Sequence, residues 1–210
     1  MQGVRTTHIL SVVALSVWAA MVSYGVASLL IYDSKPGQAA SAPLSIPDDL
    51  EEKEGRDKPL MLVFLHPHCP CSRATLDQLE AILVSNKQEF ECRVHIVVPS
   101  EADPGWENGP LLERVASISG ISVERDFGGA AAKRFAAATS GQVLFYGSNR
   151  SLGFSGGITA SRGHSGESLG ARALLHLLEN RLAPSTIAPV YGCPLFNLET
   201  SCGGASSCKQ

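Results

Sequence analysis

A marked excess of either sign of charge is what this chain lacks. Lys and Arg number 17 and Asp and Glu number 20 among 210 residues. No basic stripe is present, which argues against a nucleic-acid partner. The phosphate-cradling pattern Gly-x-x-x-x-Gly-Lys-[Ser/Thr] is also absent, so the paired Gly156 and Gly157 read as a close backbone approach. Six cysteines are too few for a disulfide-dense miniprotein, and they do not form two Cys-x-x-Cys pairs at zinc-ribbon spacing. Aromatic residues are sparse, at 6%. Against these absences stands one long apolar run and one unusual cysteine pair.

The apolar run, Ile9 to Tyr32, has no charged residue over 24 positions. A helix needs roughly 20 residues to span a bilayer, whereas a secretory apolar core is usually about 7–15. A retained transmembrane helix over 9–32 is therefore expected, preceded by a short cytoplasmic N-terminus over 1–8. The competing reading is a signal peptide cut near the small residues Ala39 to Ala42. Arg5 precedes the span, while Asp33 and Lys35 follow it, with an acidic cluster further on. That asymmetry predicts the N-terminus inside and the rest outside. In a bacterium this means a single-pass protein of the inner membrane facing the periplasm, where disulfides persist.

Residues 33–58 read as a linker interrupted by Pro36, Pro43 and Pro47. A folded domain is expected over 59–182. Leu60–Leu65 and Arg93–Val98 are short apolar runs and read as buried strands. Between them, Ser72 to about Asn86 carries Leu76, Leu79 and Leu83 on one helical face. Further along come a short helix (Leu111–Ile118), a short strand (Ile121–Glu124) and an alanine-rich helix (Ala130–Ala138). A hairpin about Gly147-Ser-Asn-Arg and a closing helix over Glu167–Leu182 complete the domain. Residues 183–210 read as a flexible tail holding Cys193, Cys202 and Cys208. Alternating strands and helices predict an α/β fold with a mixed central sheet covered on both faces.

The chemistry concentrates in His66-Pro-His-Cys-Pro-Cys-Ser, between the first strand and its helix. With Cys69 at the N-cap and Pro70 at the first helical position, the Cys69 sulfur faces unpaired backbone N–H groups. These N–H groups and the helix dipole stabilise a thiolate, the reactive form. Cys69 is thus the expected nucleophile, with His66 and His68 as further help. Cys71 is the nearest resolving thiol, through a strained ring, and the tail cysteines offer a second route. Cys92 begins a strand and reads as an inert core residue.

This segment, together with Thr139-Ser-Gly and Ser155-Gly-Gly-Ile-Thr-Ala-Ser-Arg-Gly-His, resembles the thioredoxin superfamily. The likeness covers roughly Lys58 to Leu182 and is closest to its membrane-tethered thiol–disulfide oxidoreductases and the RedB-type group. It implies a thioredoxin-like three-layer α/β/α sandwich behind one N-terminal transmembrane helix. It also implies thiol–disulfide exchange with protein thiols or disulfides and with a membrane or periplasmic redox partner, needing no cofactor. By resemblance Ser72 takes the place of the family's second cysteine. Thr139 and Ser140 take the place of the proline that faces the thiols. Arg162 and His164 fall in a loop at the active-site end. The alternative is a copper(I)-binding module, because soft thiolates select Cu(I). Cys69, Cys71 and His164 would then be the ligands.

Overall fold

A computed structural model describes residues 2–47, 58–86, 90–179, 181–183 and 185–196. The acidic stretch of the linker, Cys202 and Cys208 lie outside the described residues. The chain forms two compact units, residues 1–35 and 36–210.

The first unit is one helix, α1 (Gln2–Ser34). Its stretch His8–Ser34 has a mean hydropathy of 2.0 over its best window and none of that window is buried. At 27 residues it is about 40 Å long, enough to cross the apolar core of a bilayer.

The second unit follows the sequence expectation closely. Its order is β1 (Leu60–Leu65), α2 (Pro70–Ser85), β2 (Glu91–Val98), α3 (Pro110–Ser117), β3 (Ile121–Phe127), α4 (Ala130–Arg134), β4 (Gln142–Tyr146), β5 (Leu152–Gly156) and α5 (Leu169–Leu178). The five strands form one sheet in the order β3-β2-β1-β4-β5. β1 pairs in parallel with β2 and β2 with β3, while β4 and β5 run antiparallel. This mixed sheet with helices about it is the thioredoxin-like architecture. β1 lies at its centre, which is why all six of its residues are buried and apolar.

Alternation along β1 divides the core. Met61, Val63 and Leu65 pack with Leu76 and Leu79 of α2, and with residues of α3 and α5. Leu60, Leu62 and Phe64 face the other way, toward Phe135, Tyr146, Ile46 and Leu195. The second face is more thinly covered than the sandwich expectation suggests. Its helix α4 has five residues, not the nine expected over Ala130–Ala138. Ala136 adopts a left-handed backbone (φ 51°), which ends the helix.

Segments read as linker and flexible tail supply the missing cover. The Ile46 side chain is buried, and its N–H donates to the Arg150 carbonyl. Residues 185–196 also pack into the domain, so this part of the supposed tail is corrected to a strap. The strap runs along the outer edge of β5, where the Ser155 N–H donates to the Thr186 carbonyl and the Ala188 N–H donates to the Ser155 carbonyl. An exposed strand edge offers unpaired backbone groups, and the strap occupies them. Gly156 and Gly157 are the close backbone approach that the sequence indicated. A Cβ at Gly156 would stand 2.5 Å from the Ala188 carbonyl oxygen, and one at Gly157 would stand 2.7 Å from that of Pro189.

Candidate functional site

β1 ends at Leu65 and the chain turns through His66-Pro-His into α2. Cys69 is the N-cap of α2, with an extended backbone (φ −84°, ψ 120°), and Pro70 opens the helix. The Cys69 N–H donates to the His66 carbonyl, 3.1 Å, which closes the turn. Ser72 and Ser140 lock that turn to β4. The two hydroxyls are 2.8 Å apart, Ser72 Oγ donates to the His66 carbonyl, and the His66 N–H donates to Ser140 Oγ. Both serines are fully buried. They therefore fix the geometry beneath the thiols.

The strap then delivers a third sulfur. Cys193 Sγ lies 2.9 Å from Cys69 Sγ, although 124 positions separate them. The Ser140 N–H donates to the Cys193 carbonyl and the Leu195 N–H to that of Ala138, so Thr139 and Pro194 form an antiparallel bridge. On the other side Arg162 donates to the Gly192 carbonyl, 2.6 Å. Gly192 itself is required there, because a Cβ would fall 1.9 Å from the Ser140 carbonyl oxygen.

This cluster sets the protonation states. Cys69 is held well below the usual thiol range, first by a hydrogen bond from the Cys193 thiol and next by one from Cys71. Burial opposes the shift, and the backbone amides of Cys193 and Cys71 add smaller help. Cys69 makes no regular side-chain cap to α2. The helix terminus positions the sulfur, and the neighbouring thiols account for most of its acidity. Cys193 is raised, because it donates to Cys69 and then to Cys71 and is partly buried. Cys71 is raised as well. The bond from Cys193 pulls it down, but its own bond to Cys69, burial and the Cys69 charge outweigh that.

His66 contributes less charge than the sequence suggests. Burial pushes His66 below its ordinary value, which keeps it neutral near pH 7. His66 Nδ1 accepts from the His68 N–H, and His68 Nε2–H donates to the Trp106 carbonyl, 2.7 Å. The Trp106 ring stands edge-on to both imidazoles, with centroids 5.1 and 4.5 Å away. Sequence reasoning missed Trp106, since its loop carries no periodicity.

Of the residues expected at the substrate, Arg162 reaches the cluster through Gly192, and the Gly163 backbone amide interacts with Cys71. His164 is exposed, with Nδ1 against the Arg162 carbonyl and the Ser161 hydroxyl. Thr139 is buried, and its hydroxyl donates to the Gln38 carbonyl of the linker. Among the described residues, no three His, Cys, Asp or Glu side chains are placed to hold a metal ion. Cys92 is buried within the core and pushed up to about 12 by burial and by Glu91.

No family model matches the chain, and no curated protein is similar enough to count as a relative. Solved structures do resemble it. A hypothetical protein from Sinorhizobium meliloti has a TM-score of 0.54 at 20% identity, covering 79% of this chain and 98% of its own. An uncharacterized conserved protein from Geobacillus kaustophilus has 0.51 at 18%, covering 80% and 93%. A thioredoxin-like protein from Aeropyrum pernix has 0.41 at 13%, covering 79% and 98%. Likeness at these identities is likeness of fold.

Proposed function

We propose that this is a membrane-anchored thiol–disulfide oxidoreductase whose domain works outside the cytoplasm. The carrying observation is the Cys69 sulfur, poised as a thiolate 2.9 Å from a second thiol. A stabilised thiolate beside another thiol is what exchange requires: it attacks or departs, and its neighbour closes or opens the disulfide. The β1–α2 turn and the buried Ser72–Ser140 pair hold that arrangement rigid. The RedB-type likeness in the motif residues belongs to this reading, as do protein thiols or disulfides as substrates and a membrane or periplasmic redox partner.

Stabilising the thiolate stabilises the reduced form, which makes the corresponding disulfide more oxidising. The site therefore suits an oxidant or isomerase better than a strong reductant. Extracytoplasmic placement agrees with the charge asymmetry about α1 and with the compartment in which disulfides last.

The test is turnover of a dithiol or disulfide protein substrate by the full chain in membranes. Cys69→Ser is expected to abolish it. Equal rates in the variant and the parent would overturn the reading.

A further inference from the structure

Accessibility is divided unequally among the three clustered thiols. Cys69 is 3% exposed and Cys71 is 7% exposed. Cys193 is partly open to solvent. The residue that holds the negative charge is thus covered, and the one beside it is partly open. Exchange depends on which sulfur an incoming thiol can reach as much as on acidity. We propose that Cys193 is the residue at which substrate is met and on which the mixed disulfide forms, with Cys69 as the buried leaving group behind it.

The proposal rests on the reading of the site as an exchange centre, and it reverses the roles that the motif alone suggests. The strap presents Cys193 rigidly, because Ser140 binds its carbonyl, Thr139 bridges to Pro194, and Arg162 binds the Gly192 carbonyl. Cys71 is also buried, so it is a poorer entry than Cys193.

The reaction starts from a Cys69–Cys193 disulfide. A substrate thiolate attacks Cys193 Sγ. A bond forms between the substrate sulfur and Cys193, the Cys193–Cys69 bond breaks, and its electron pair leaves on Cys69. Departure is fast when the leaving thiol is acidic, and the hydrogen bonds at Cys69 make it so. A second substrate thiolate then attacks the substrate sulfur of the mixed disulfide. The substrate disulfide forms, and Cys193 departs and takes up a proton. The substrate loses two protons and two electrons. The cysteine pair gains both electrons and one proton, and the other proton goes to solvent. A protein or small-molecule disulfide re-oxidises the pair by the reverse steps.

The experiment uses the full chain, oxidised, with a stoichiometric peptide carrying one cysteine, which cannot complete the second step. Acid quench traps the mixed disulfide. Fragment ions locate it, since Cys193, Cys202 and Cys208 share one tryptic peptide. The expected adduct is on Cys193; an adduct on Cys69 or Cys71 overturns the inference. In a second arm, reduced Cys193→Ser is given a peptide disulfide. Capture by the remaining, covered sulfurs is expected to fall about tenfold or more against capture at Cys193 in the parent, as burial of a reactive sulfur dictates. Capture at the parent rate also overturns the inference while leaving the exchange reading intact. A parent that exchanges with neither probe removes both.

Discussion

Two protons shared unequally among three sulfurs are the central feature of the site at the scale of single residues. Cys69 gives up its proton because Cys193 and Cys71 donate to it. The ultraviolet absorbance of thiolate should therefore persist in the reduced protein well into the acid range. In Cys69→Ser that acid-side step should vanish. In Cys193→Ala it should move up toward an ordinary thiol, since the largest contribution is lost. The stability sign follows from the lowered value in the folded state. The contribution is complete above the unfolded thiol's pKa and disappears as pH falls through the folded one. The stability gap between reduced parent and Cys69→Ser should accordingly close on acidification, as measured by denaturant unfolding. The N-cap placement of Cys69 and the role of Pro70 were legible in sequence because both are local. The acidity was assigned to the helix terminus because a donor 124 positions away leaves no mark on local pattern.

At the scale of elements, the regular pieces were legible and the irregular ones were not. Strand β1 is an unbroken apolar run and helix α2 carries a clear helical period, and their boundaries shift by at most two residues at either end. The strap over 185–196 has none, so composition alone made it a flexible tail. Its order comes from partners that sequence does not show: the edge of β5 and the Ala138–Ser140 segment. Gly192 is the pivot of that docking. Gly192→Ala would force its Cβ into the Ser140 carbonyl and should lift the strap from the site. Cys69 is then expected to titrate closer to an ordinary thiol and to react faster with a maleimide, while the far-ultraviolet circular dichroism stays unchanged. An unaltered Cys69 titration would mean that Cys193 is held by something other than this close approach.

The whole domain is a sheet with a thick helical layer on one face and a thin layer on the other, patched by linker and strap. Two weak acids are buried within these layers. Cys92 is pushed up to about 12 by burial and then by Glu91, and Tyr146 is pushed up to about 12 by burial. Groups raised in the folded state support it fully below their unfolded values and cease to as pH climbs toward the folded ones. In the reduced protein stability should hold to about pH 8.5 and decline above it, first through Cys92 together with the raised Cys71 and Cys193, and then, near about pH 10, through Tyr146. Cys92→Val should flatten the early part of that decline in denaturant titrations, and Tyr146→Phe the later part. The chain has two tryptophans, Trp18 in α1 and Trp106 against the two imidazoles beside the cluster. An indole so placed gives the folded domain a native fluorophore beside the His66–Cys69 turn, and its emission should report, without any label, a change in the bonding of the clustered sulfurs.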